Sequence, residues 1–279
     1  MNIVEHLNQI TSALDELDVP YLMGGHAVRY YGFRRETTDH DLYIPAEIGR
    51  NLSELLSRTA LFVSAPPIES VTWRGENEFK RYVIGTLPDG KEELLEFWIH
   101  NHLLDDFSEL YNRREIGFYG ERNISFLSLP DLIRSKETER ENDWQDISFL
   151  EEILDQRNLN QAKNAEEIIA AIANLRSMRG LESAIEKGFL KNLNDVETAL
   201  RTAKNPITRA FLLPFAPNLE AELPNDEMLP SAFRKHLKLV EPSGSRHLAL
   251  VEAVRLRYKR ASQEIDRADK DEHRKKQQK

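Results

Sequence analysis

None of the 279 residues is cysteine, which excludes disulfides, thiol catalysis and cysteine-ligated zinc together. No apolar run approaches the roughly 20 residues that a membrane-spanning helix needs. The first stretch, MNIVEHLNQITSALDELD, lacks the basic start and small-residue cleavage site of a secretory signal. A cytoplasmic protein without a membrane partner is therefore the expectation. Positive charge is also short: 38 Lys and Arg stand against 47 Asp and Glu, a net charge of −9, which argues against wholesale nucleic-acid binding. The shortfall is uneven. From Ser231 onward Lys and Arg outnumber Asp and Glu two to one, ending in HRKKQQK. Such a tail suits an RNA backbone and equally suits a solvated helix end.

What is present is enough for a core. Two-fifths of the residues are apolar, and the length suits one large domain or two modest ones. Ile3, Leu7, Ile10, Leu14 and Leu17 recur at three and four, the spacing of an amphipathic helix. Asp18-Val19-Pro20 ends it and leads into YLMGGHAVRYYGFRRETTDHDLYIP, residues 21–45. This stretch reads as a strand at Tyr21–Met23, a Gly24-Gly25 turn, a short helix through Ala27, Val28 and Tyr31, and a second strand from Asp39 to Ile44.

The second strand carries the chemistry. Residues i and i+2 share a face, so Asp39 and Asp41 point together, His40 points away and Leu42 and Ile44 face a core. Two carboxylates so close repel unless a cation lies between them. Hard oxygen ligands suit Mg2+ with a phosphate-bearing substrate, and paired glycines before a helix offer backbone N–H groups to a phosphate.

Gly24-Gly25 followed by Arg35-x-Thr37-x-Asp39-x-Asp41-Leu42 resembles the signature of the polymerase-beta-type nucleotidyltransferase superfamily, in particular its bacterial minimal and AbiE-type toxin-like branch. The resemblance spans about the first half of the chain. It implies an α+β fold: a nucleotidyltransferase-type mixed sheet flanked by helices, in a catalytic domain over residues 1–157, with a mostly helical C-terminal region over 158–279. It implies that Gly24 and Gly25 cradle a triphosphate, and that Asp39 and Asp41 bind metal, most simply two Mg2+ ions. A third carboxylate is implied on a later strand. The run Glu92–His100 after the Pro88-Asp89-Gly90 turn is that strand by position, and Glu96 is its best candidate, with Glu93 on the opposite face as the fallback. Asp is the commoner residue there, so Glu96 departs from the pattern. Arg35 reads as a phosphate contact or a brace, Thr37 as support for the turn, and His26 as a phosphate contact or a packing residue.

Ala46 to Arg58 reads as one helix. Leu61–Val63, Val71–Trp73 and Arg81–Ile84 read as strands, and Glu115–Phe118 with Ile124–Phe126 as a hairpin around Gly120. Ser128-Leu129-Pro130-Asp131 starts a helix that the pattern carries through to Leu154. In it Lys136, Arg140, Asp143 and Asp146 recur at four, three and three, near one stripe. The resemblance implies that Lys136 faces the nucleotide phosphates, while the bland reading is a helix surface with ion pairs. Further helices are expected over 162–175, 180–192, 195–204 and 247–267. Pro206, Pro214, Pro217, Pro224 and Pro230 mark a linker. The function implied is transfer of a nucleoside monophosphate from an NTP to an acceptor hydroxyl. The acceptor would be an RNA end such as that of tRNA, or a protein, with a toxin role and a cognate antitoxin among the implications. The alternative is a catalytically silent nucleotide-binding module or scaffold of the same fold.

Overall fold

A computed structural model describes residues 3–222, apart from 38, 59–67, 71–78, 88, 102 and 139–140, together with 267, 270, 271, 274 and 275. The chain divides into two compact units, residues 1–136 with 269–279, and residues 137–268.

Among the described residues the first unit is built on a seven-stranded mixed sheet. Its strands are β1 (Leu22–Met23), β2 (Asp39–Tyr43), β3 (Ile68–Ser70), β4 (Phe79–Thr86), β5 (Glu92–Trp98), β6 (Glu115–Tyr119) and β7 (Arg122–Phe126), in the order β3-β4-β5-β2-β1-β7-β6. The β2–β5 and β1–β7 pairs are parallel and the others antiparallel. Its helices are α1 (Ile3–Glu16), α2 (Gly25–Tyr30), α3 (Ala46–Gly49), α4 (Leu52–Ser57), α5 (Phe107–Asn112) and α6 (Leu129–Ser135). The amphipathic reading of α1 holds, with Leu7, Ile10 and Leu14 buried. Leu22, Met23, Leu42, Ile44, Leu95, Phe97 and Phe126 supply fully buried sheet positions. Central strands buried on both faces need such runs.

The second unit is helical: α7 (Glu141–Gln161), α8 (Ala165–Ile172), α9 (Met178–Glu186), α10 (Leu193–Thr202) and α11 (Pro206–Leu212). Leu159, Ile172, Leu175, Leu181, Val196, Leu200 and Phe211 are among the residues of its core. The mixed sheet flanked by helices, with a mostly helical C-terminal part, is the α+β architecture expected.

Three expectations are corrected. The helix from Ser128 is two helices: Lys136 closes α6, its N–H bonding Ile133 O, and α7 starts at Glu141. Between them Thr138 Oγ1 donates to Asp143 Oδ2 at 2.5 Å, the local side-chain bonding by which such residues compete with a continuous helix. Lys136 therefore does not share a helical stripe with Asp143 and Asp146. The helix over 46–58 is likewise divided at Asn51, whose φ of −113° and ψ of 19° are not helical. The linker is ordered structure as far as Glu222: α11 and two 3-10 turns, Leu213–Phe215 and Pro217–Glu222. Pro206, Pro214 and Pro217 each fall in the first turn of a helical piece, where a missing N–H costs nothing. Ala216 and Leu219 are buried there. The strands read at 61–63 and 71–73, Arg140, the linker beyond residue 222 and the helix over 247–266 lie outside the described residues.

Candidate functional site

β2 and β5 run side by side, parallel, with Asp39 opposite Leu94 and Asp41 opposite Glu96. The period of two places Asp39, Asp41 and Glu96 on one face. One ligand atom from each of the three lies within 4.8 Å of the other two. Glu96 is buried and the two aspartates are half-buried. Burial first, then the charge of Asp41 and a hydrogen bond with it, pushes the Glu96 carboxyl up to about 9, against the pull of Arg81. Mutual repulsion in the cluster is relieved by a bound cation or by a proton. Three hard oxygens converging under mutual repulsion fit a divalent ion of the Mg2+ class.

The row continues to either side. Across the antiparallel β4–β5 pair Arg81 stands opposite Glu96, and its Nε and Nη2 reach Glu96 Oε1 at 2.6 and 2.5 Å. On the other side Gly24 N–H donates to Asp41 O at 2.9 Å. Gly25 heads α2, and Ala27 N–H in its first turn bonds Gly24 O at 2.9 Å. A Cβ on Gly25 would sit 2.5 Å from Asp41 Oδ2, so the glycine lets the carboxylate lie against the turn. The pair thus does two jobs: Gly24 ties the turn to β2, and Gly25 makes room for Asp41.

Thr37 Oγ1 lies 3.2 Å from both Asp39 Oδ1 and Asp39 O, steadying the entry to β2. Arg35 is half-buried in the segment between α2 and β2, and its Nη1 reaches Glu36 O at 3.5 Å. Lys136 is buried at the end of α6, and Asp143 and Asp146 are buried on α7. The structure therefore brings together Asp39, Asp41, Glu96, Gly24, Gly25 and Thr37.

Two features were missed from sequence. One is Arg81: its place beside Glu96 depends on the β4–β5 register, which no residue pattern discloses. The other lies on the far face of the same strands. His40 Nε2 is 2.8 Å, and His6 Nδ1 from α1 is 2.9 Å, from Glu93 Oε1. Burial raises the Glu93 pKa, but the two imidazole hydrogen bonds outweigh it and hold the carboxyl at about 2. His26 is fully buried and stacks on His40 at 5.1 Å, with its Nδ1 3.3 Å from Tyr119 OH. Burial, then the neighbouring His40, lowers its pKa well below the usual range.

No family model matches the sequence, and no curated protein matches it. A solved H. pylori structure described as a candidate nucleotidyltransferase is similar over 80% of this chain and 98% of that chain. The identity is 15% and the TM-score 0.35, a likeness that carries no argument. No helix among the described residues is long and apolar enough to cross a membrane.

Proposed function

We propose that the chain is a nucleotidyltransferase that moves a nucleoside monophosphate from an NTP to an acceptor hydroxyl. The observation that carries this reading is the convergence of Asp39, Asp41 and Glu96 within 4.8 Å, beside a Gly24-Gly25 turn packed on Asp41. Asp39, Asp41 and Glu96 hold the metal, most simply two Mg2+ ions. When bound, Mg2+ neutralises the triphosphate and lowers the pKa of the attacking hydroxyl. The turn at Gly24 and Gly25 receives the β and γ phosphates, with Arg35 and Lys136 adding positive charge and Thr37 fixing Asp39. The acceptor oxygen bonds to the α-phosphorus as the bond to the bridging oxygen breaks. Pyrophosphate leaves, and the hydroxyl proton passes to solvent or to a site carboxylate. Positioning and charge neutralisation dominate such transfers.

The acceptor we favour is an RNA end such as that of tRNA, with a protein hydroxyl next. The excess of Lys and Arg from Ser231 onward supports RNA. Under the resemblance to toxin-like members, the chain is one half of a toxin–antitoxin pair. A second reading, a silent nucleotide-binding module, is favoured by the Arg81–Glu96 ion pair at 2.5 Å, which engages the carboxylate that must meet the metal.

Transfer of label from α-labelled NTPs with Mg2+ to total cell RNA and protein tests the first reading. The Asp39→Ala, Asp41→Ala double variant serves as control. Label that appears in one fraction and vanishes in the variant supports the enzyme and names its acceptor class. NTP binding with no label above control supports the silent module.

A further inference from the structure

The strands that bring three carboxylates to one face bring a different ligand set to the other. β2 contributes His40 and β5 contributes Glu93, while α1 lays His6 against them. His6 Nδ1 and His40 Nε2 both approach a single oxygen, Glu93 Oε1, at 2.9 and 2.8 Å, and the three ligand atoms lie within 4.8 Å of one another. All three side chains are buried. The other Glu93 oxygen lies toward Gly85, where a Cβ would meet Oε2 at 3.2 Å. The imidazoles therefore crowd one oxygen from two directions, their rings 5.9 Å apart and nearly perpendicular. Around this cluster the structure buries further polarity. His26 stacks on His40, and His26 Nε2 and His40 Nδ1 are buried without a hydrogen-bond partner. Native interiors leave few such atoms, and an ion or water is a common reason for those that exist.

We propose that His6, His40 and Glu93 form a second metal site, selective for a transition ion of the Zn2+ class and separate from the carboxylate cluster. Two imidazole nitrogens and one carboxylate oxygen suit Zn2+, which takes such ligands tetrahedrally and leaves a fourth position for water. At Zn–ligand lengths of about 2.0–2.2 Å the ligand atoms stand about 3.3 Å apart, so each imidazole has to draw back from Glu93 Oε1 by about half an ångström. The three-carboxylate cluster on the other face has no nitrogen and suits Mg2+. Alternation along β2 and β5 thus sorts two kinds of ion onto two faces. An ion held by His6 ties α1 to the strands that carry Asp39, Asp41 and Glu96.

The test uses the full, untagged chain, stripped with chelator and held in excess Mg2+ so that the carboxylate cluster is served. Zn2+ is titrated calorimetrically, and Co2+ is added to a second sample to read its visible ligand-field bands. The expected result is one equivalent of Zn2+ bound despite Mg2+, with Co2+ bands typical of mixed nitrogen and oxygen ligation. The Asp39→Ala, Asp41→Ala variant keeps this binding. Glu93→Gln and His6→Gln lose affinity by more than the roughly 10–100-fold that loss of an outer-shell partner costs. Absence of stoichiometric Zn2+ binding to the folded wild-type protein overturns the proposal. So does binding that disappears in the aspartate variant, or binding that persists unchanged in folded Glu93→Gln.

Discussion

Asp41 shows how much one residue settles. Its backbone carbonyl receives Gly24 N–H, its carboxylate rests against Gly25, and its strand register faces Glu96. Alternation along a strand made the shared face of Asp39 and Asp41 legible in sequence, and the same parity separated Glu96 from Glu93. Arg81 was not legible, because pairing register is a property of two strands and not of either one. Gly25→Ala should leave the fold nearly intact, since alanine is at home in a helix, yet displace the Asp41 carboxylate. We expect metal affinity, read by calorimetry, to fall while the melting temperature moves by no more than about 2–4 °C, the shift of about 1 kcal/mol. Glu96 adds a pH dependence. Its pKa rises from 4.5 unfolded to about 9 folded, so the native state binds the extra proton between those values. That contribution is complete below 4.5 and is lost as pH climbs through 9. Metal-free protein should accordingly lose stability from pH 6 to 9 in denaturant titrations, and Asp41→Asn, which removes the nearest repulsion, should flatten the decline. Metal binding at pH 7.5 should release protons, seen as calorimetric heats that vary with the ionisation enthalpy of the buffer.

Among the elements, α9 depends on a single side chain of α7. Asp155, 1% exposed, accepts from Arg176 N–H at 3.0 Å, Ser177 N–H at 2.7 Å and Ser177 Oγ at 2.7 Å. Ser177 in turn caps α9, with Gly180 N–H donating to its Oγ at 2.9 Å. A Cβ on Gly180 would lie 2.3 Å from Asp155 Oδ2, so a glycine is the only residue that admits the carboxylate there. Asp155→Ala strands these buried donors and should cost about 3 kcal/mol; Gly180→Ala overpacks the same spot and should cost about 1–3 kcal/mol. Denaturant unfolding of each full-length variant measures both, and a loss under about 0.5 kcal/mol, the range of ordinary surface changes, would contradict the account. The positions of α8 and α10 were readable in outline from the sequence, whereas the helix expected over 180–192 ends at Glu186, short of Gly188 at φ 75°. The break between α6 and α7 was not readable, because Thr138 and Asp143 bond across it and the apolar rhythm carries on regardless. Pro206, Pro214 and Pro217 misled for a related reason: counted along the sequence they resemble a linker, whereas placed at helix starts they are compatible with a packed core.

At the scale of the molecule, the chain divides into two compact units. One carries the sheet and both ligand clusters; the other closes a helical core of its own. The expected boundary at residue 157 differs from this division, which falls after residue 136 and assigns residues 269–279 to the first unit; which residues pack together, not composition, sets such a boundary. A ligand that binds the native state stabilises whatever must unfold to release it, by about 2.7 kcal/mol at 100 times its Kd. If the site is the one proposed, Mg2+ with NTP at that excess should slow amide exchange in β1, β2 and β5 by up to about 100-fold. The amides of α8, α9 and α10 should exchange at their unliganded rates, because the ligand's contacts lie in the sheet unit and α8–α10 pack around a separate core. Hydrogen-exchange mass spectrometry of the full chain reads both at once. Equal slowing in the helical unit would mean that the two cores unfold as one cooperative body. Slowing confined to the helices would place the nucleotide elsewhere and remove the carboxylate cluster from its proposed role.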